Sequence, residues 1–187
     1  MMPINANATN TIALWPGTVA STGAYRRELQ DRKQWRQMVP LFVVSILGSL
    51  AGAHLLLRTS QSTFMRQVPW LLLCATVLFA FGGAITKRIR ARTASHKHVG
   101  RLTTAAVTLL QLVVAVYIGY FGAGAGMLML ALFALMGMEN IHNMNAYKTL
   151  LTGSANGVAL ITFIIAGLIV WPQALLMIVG ATIGGYG

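Results

Sequence analysis

Polar and apolar positions in this chain fall in long blocks rather than short alternations. Near-chargeless apolar runs of about 20 residues, each long enough to cross a hydrocarbon layer roughly 30 Å thick as a helix, follow one another along the chain. The pattern predicts helical spans at 5–24, 39–57, 68–86, 103–121 and 143–167. A shorter apolar piece lies at 126–138, and a last helix begins at Pro172. Pro40 and Pro69 are expected in the first turns of their helices, where a missing N–H costs little. Trp35 and Trp171 fall where interfacial anchors belong, while Trp15 and Trp70 are expected to pack within the apolar spans.

Composition fixes the solvent. Of 187 residues, 56% are hydrophobic and only 9% are charged, against about 25% charged in a soluble domain. Too few polar residues exist to cover a water-facing surface. The expectation is an all-α, polytopic transmembrane helical bundle in a single domain, 1–187, with the lipid bilayer as a partner. The first residues carry neither the basic start nor the cleavage pattern of a secretory signal. Cys74 cannot form an internal disulfide and is expected to be a buried packing thiol. No Cys/His cluster suggests a metal, and no cofactor is expected.

The net charge of +11 invites a nucleic-acid reading, but its distribution opposes it. Segment 26–36 carries five basic and two acidic residues, and segment 87–101 carries six basic residues, so +9 of the +11 sits in two short stretches beside apolar spans. That is the positive-inside signature of cytoplasmic loops, with attraction to anionic headgroups as a side effect. It places the chain as a multi-pass protein of the cytoplasmic (inner) membrane, with loop 58–66 on the opposite side.

The chain also repeats itself. Asn5–Ile12 and Asn143–Leu150 both read Asn-x-Asn-Ala-x-x-Thr-apolar, and Pro40, Gly48 and Gly52 are spaced like Pro172, Gly180 and Gly184. Residues 1–57 then form a remnant of one repeat, 58–102 a connecting helix and basic loop, and 103–187 a second, incomplete repeat. Loop 26–36 is strongly basic and its counterpart 167–173 is uncharged, which puts them on opposite sides. Counting 126–138 as a crossing gives an odd number between them, so the repeats are expected to be inverted in topology. Because a Gly-rich segment precedes only the second copy, the chain is expected to be N- and C-terminally incomplete.

Gly119, Gly122, Gly124 and Gly126 stand within one apolar stretch, where each glycine weakens a helix by about 1 kcal/mol relative to alanine. Their spacing matches neither phosphate-binding glycine motif. A small-residue packing face and a break in a membrane helix remain. A break would free backbone N–H groups and start a new helix with a positive dipole end, which suits an anion. On the following span Asn145, Lys148, Thr149, Thr152 and Asn156 share one face, and Asn7, Asn10, Thr11 and Thr18 take the matching places in the first copy. Such a face lines either a wet path or an interhelical hydrogen-bond network, and Lys148 either meets a ligand or snorkels to the surface.

Only three residues are acidic: Glu28, Asp31 and Glu139. None lies within an apolar span, where a cation carrier would need one. No nucleophile–base pair stands out, so enzymatic activity is not expected. His142 reads as a polar boundary residue. The donors suit a small anion, with Gly122, Gly124, Gly126, Asn145, Lys148, Thr149, Thr152, Asn156, Asn7, Asn10 and Thr11 as the candidate site. Homo-oligomerisation stays open.

The stretches NANATNTIALWPGTVAS (5–21), GYFGAGAGMLML (119–130) and NIHNMNAYKTLLTGSANG (140–157) together resemble the sulfite exporter TauE/SafE family of membrane permeases. The resemblance spans most of the chain. It implies a polytopic membrane carrier that moves sulfite, sulfur-containing organic anions or other small anions, often outward. The family's Gly-rich helix ahead of the first repeat has no counterpart here. The competing reading is a non-transporting membrane remnant or an interaction and assembly subunit.

Overall fold

A computed structural model describes residues 1–25, 29, 32–93, 101–138 and 140–186. Seven helices and no strands occur among them: α1 (Pro3–Ala24), α2 (Arg32–Arg58), α3 (Gln61–Thr93), α4 (Arg101–Tyr120), α5 (Ala125–Leu135), α6 (Ile141–Ile165) and α7 (Trp171–Tyr186). Two of them contain stretches long and apolar enough to cross a membrane, Met38–Arg58 and Ile141–Ile165. Shorter apolar helices run over Ala105–Tyr120, Ala125–Leu135 and Trp171–Ala181. The protein is a helical membrane bundle.

Every expected span is found, with shifted ends. Helices α2 and α3 begin well before Pro40 and Pro69, which lie inside them rather than in their first turns. Each proline frees only the carbonyl four residues earlier, at Arg36 and Met65, close enough to a helix end for water to reach. The 58–66 loop shrinks to Thr59 and Ser60, because Gln61 already opens α3. The basic segment 87–101 is helical up to Thr93, so α3 has 33 residues and, at about 1.5 Å per residue, outreaches the hydrocarbon layer. Glu28, Asp31, Glu139 and residues 94–100 lie outside the described residues. Cys74 is exposed, not a buried packing thiol, and Trp70 is 73% exposed. Both sit on the outward face of α3.

The tightest seam joins α2 to α4 side by side. A methyl group at Gly48 would meet Ala115 and the Leu112 carbonyl, at Gly52 the Val116 carbonyl, and at Gly119 the backbone of Ser49. Small residues let two backbones approach this closely, which is how helices associate where no hydrophobic effect separates them from lipid. Across the seam Gln111 Nε2 donates to Ser45 Oγ at 2.6 Å, and Ser45 Oγ donates to the Leu41 carbonyl at 2.7 Å. Ser49 Oγ donates to the Ala155 carbonyl at 2.5 Å, tying in α6. These pairings make α2, α4 and α6 parallel.

Helix α1 runs the other way along α6. Asn5 Nδ2 donates to the Leu168 carbonyl beyond the end of α6, whereas Trp15 Nε1 donates at 2.9 Å to the Gly153 carbonyl near its middle. The indole lies on Gly157, where a Cβ would come within 3.0 Å of it. One apolar cluster gathers Met38, Leu41, Ile118, Met129, Phe133, Met144 and Leu151 at one end of the bundle. A second gathers Ile4, Ile12, Leu56, Phe64, Tyr120, Leu160 and Phe163 at the other.

Candidate functional site

The helix does break in the glycine run. Helix α4 ends at Tyr120 and α5 starts at Ala125, with Gly122 (φ 78°) and Gly124 (φ 74°) in the left-handed region between them. That conformation costs an L-residue roughly 1–2 kcal/mol, so these two glycines serve the break. Gly119 is different. It lies inside α4, against Ser49, and serves packing. The break reading holds, whereas the packing face expected from Gly122 and Gly126, four residues apart, is not formed by that pair; close packing falls on Gly119 instead.

After the break the chain turns back. Gly122 sits beside Asn156, Gly124 against Ala75 of α3, and Gly126 beside the Lys148 stem, so successive residues approach earlier positions of α6. Helix α5 has 11 residues, about 16 Å at 1.5 Å per residue. That is half of the roughly 30 Å a crossing needs. The segment expected to cross at 126–138 is a half-helix that returns toward the start of α6.

Several partners hold the turn. The Phe121 and Gly122 N–H groups donate to the Tyr117 carbonyl at 2.9 and 3.0 Å. Asn7 Nδ2, from α1, donates to the Tyr120 carbonyl at 3.2 Å, and Tyr117 Oη donates to the Ala123 carbonyl at 2.6 Å. Met127 N–H donates to the Gly124 carbonyl at 3.1 Å. No side chain caps the first turn of α5, whose N-cap is Gly124. Orphan N–H groups and the dipole make that end attractive to negative charge.

The polar face of α6 adds one cation. Lys148 is half-buried, its stem beside Gly126, and its Nζ donates to Asn145 Oδ1 at 3.0 Å. Two ammonium protons and the Asn145 amide NH2 remain beyond that bond. Gly126 leaves the space the stem fills: a Cβ there would sit 3.5 Å from Lys148 Cδ.

The other candidates divide. Thr149 Oγ1 donates to the Asn145 carbonyl at 2.8 Å, and Thr152 Oγ1 to the Lys148 carbonyl at 2.7 Å. Thr11 Oγ1 donates to the Asn7 carbonyl at 3.0 Å. These hydroxyls satisfy themselves on their own helices, leaving only acceptor lone pairs outward. Asn7 serves the end of α4. Asn10 is exposed. The structure brings Gly126 beside Lys148, itself bonded to Asn145, and Gly122 beside Asn156, while Gly124 packs on Ala75 and Asn7 braces the turn.

Tyr117, Trp15, Ser49 and Gln111 were not singled out by the sequence, yet they hold the break and the seams. Tyr117 had one detectable signal, a polar-tipped aromatic one turn before a glycine break. Among the described residues no group of three or more His, Cys, Asp or Glu side chains could hold a metal.

Comparison with known proteins agrees with this architecture. A family model described as sulfite exporter TauE/SafE matches residues 1–187. The chain is similar to the probable membrane transporter protein YfcA of Escherichia coli (strain K12), 26% identical over 186 residues, covering 98% of this chain and 65% of the relative. It is also similar to a probable membrane transporter protein of Haemophilus influenzae, 25% identical over 187 residues, covering 98% of this chain and 69% of the relative. The chain thus spans about two thirds of the length of these curated relatives. No solved structure matches it.

Proposed function

The chain belongs to the sulfite exporter TauE/SafE family, and we propose that it carries a small anion through the membrane, sulfite or another sulfur-containing anion being the best candidates. The observation that supports this most is the meeting of Lys148 with Gly126 in the first turn of α5, a half-helix that starts within the bundle. The stem of a positive side chain lies beside the positive end of a helix. The sign of the ligand follows from that.

The carrier reading includes a topology. Loops 26–36 and 87–101 face the cytoplasm, and the chain is multi-pass in the cytoplasmic membrane. Residues 1–57 and 103–187 are inverted repeats around connector 58–102. In support, α1 and α6, the sequence-matched helices, run antiparallel. Helix α1 packs on α7 as α6 packs on α2, the swapped pair. Trp15 bonds to Gly153, its own counterpart at the repeat offset of 138, as a pseudo-two-fold axis through that contact would require.

Lys148→Met tests the reading. Hydrogen bonds to a charged group contribute roughly 1.5–3 kcal/mol, and 1.4 kcal/mol is about tenfold in affinity. Radiolabelled sulfite should bind the purified chain in detergent, and Lys148→Met should weaken it at least about tenfold. Lys148→Arg should recover part, because a planar fork replaces a point charge. Sulfite affinity unchanged in Lys148→Met would assign Lys148 to snorkelling. Binding of no anion by the wild-type chain would favour an assembly role.

A further inference from the structure

Tyr117 touches the break twice. Its carbonyl accepts the Phe121 and Gly122 N–H groups, and its hydroxyl reaches across the turn to the Ala123 carbonyl at 2.6 Å. Its ring meets Phe121 edge-on, with centroids 6.3 Å apart. We propose that Tyr117 is a positioning residue for anion recognition: by holding the Ala123 carbonyl, it aims the Gly124 N–H at the ligand.

The geometry follows from peptide planarity. A trans peptide points its C=O and N–H in opposite directions, and no cis bond occurs in the described chain. With the Ala123 carbonyl drawn to Tyr117 on α4, the Gly124 N–H is turned away from α4. The next peptide is held likewise. Its carbonyl, Gly124 O, accepts from Met127 N–H, so the Ala125 N–H points away from the body of α5. Two successive donors are thereby set outside the ladders of both helices, with a left-handed glycine between them, the kind of backbone concavity that binds anions. Lys148 supplies charge with little direction, being a compact point charge held only by its bond to Asn145. The Tyr117 clasp supplies direction. This distinction identifies the ligand class further: an oxyanion, whose oxygens accept directed hydrogen bonds, rather than a large diffuse anion. The proposal rests on the carrier reading above.

The test compares sulfite with thiocyanate, an anion of diffuse charge and weak acceptor strength, in equilibrium binding to the purified full chain. Tyr117→Phe keeps the ring and removes the clasp. Sulfite affinity should fall about five- to tenfold, the scale of one hydrogen bond, while thiocyanate affinity changes by less than about twofold. Lys148→Met should weaken both anions. Phe121→Leu, which removes the ring contact and leaves the hydroxyl, should keep the sulfite preference. Equal weakening of both anions in Tyr117→Phe would make Tyr117 a mere brace and overturn the proposal. Unchanged sulfite affinity in Tyr117→Phe beside a weakened Lys148→Met would overturn it while leaving the carrier site standing. Failure of wild type to bind either anion would overturn both.

Discussion

An alanine scan of the glycine run should produce three different outcomes from four identical changes. At Gly119 the new methyl would overlap the Ser49 carbonyl and Cα. Neither belongs to a movable side chain, so α2 and α4 must separate. Overpacking of this kind costs about 1–3 kcal/mol. Separation also stretches the Gln111–Ser45 bond across the same seam, worth about 1 kcal/mol. Alanine's helix propensity returns up to about 1 kcal/mol. The net loss is about 1–3 kcal/mol. At Gly122 and Gly124 the cost is conformational, about 1–2 kcal/mol each for a left-handed alanine, and Gly124→Ala adds a contact with Ala75 at 3.1 Å. At Gly126 the residue is helical without positive φ, and the methyl meets only Lys148 Cδ at 3.5 Å. There alanine should stabilise, by up to about 1 kcal/mol. Melting of the purified chain in detergent, followed by tryptophan fluorescence, reads these values at roughly 2–4 °C per kcal/mol. Gly126→Ala should hold or raise the melting temperature, and the other three should lower it. A Gly126→Ala variant as damaged as Gly119→Ala would refute the division of labour among the glycines.

Trp15→Phe should lower the melting temperature by about 2–4 °C, the equivalent of one hydrogen bond of about 1 kcal/mol; an unchanged melt would show that the bond to Gly153 contributes nothing. In a Cys74→Ala background, Ser62→Cys should react with an impermeant reagent added outside the cell and Ser95→Cys should not. Outside labelling at residue 95 would invert the proposed topology.

The bundle was legible because membrane helices announce themselves: long apolar runs need no tertiary context. Helix ends were less so. The residues ahead of Pro40 and Pro69 are polar, and hydropathy cannot tell a helix that projects beyond the apolar layer from a loop. The glycine break was visible as an anomaly, but its geometry was not. Gly119 and Gly122 look alike in sequence and differ only in what lies opposite, Ser49 for one and open turn for the other. The same holds for the polar face of α6. Periodicity put Asn145, Lys148, Thr149 and Thr152 on one stripe, but it could not show that the threonine hydroxyls are spent on their own backbone. Cys74 and Trp70 were misjudged because an apolar stretch does not tell which face of its helix turns inward.

A broken helix inside an apolar bundle is tolerable only if its freed backbone groups find partners, and the partners here are unequal in kind. The Tyr117, Tyr120, Ala123 and Gly124 carbonyls around the turn are each held by a named donor, two of them side chains brought from α1 and α4. The first turn of α5 receives no side-chain cap in return. A carboxylate in reach of that turn would have capped it and neutralised Lys148. The acidic residues of the chain are only Glu28, Asp31 and Glu139, none within an apolar span. A side-chain anion there would save stability and abolish the site, since the cap and the cargo would compete for the same N–H groups. In the proposed carrier the positive helix end and the lysine would serve a charge that arrives from solution and can leave again.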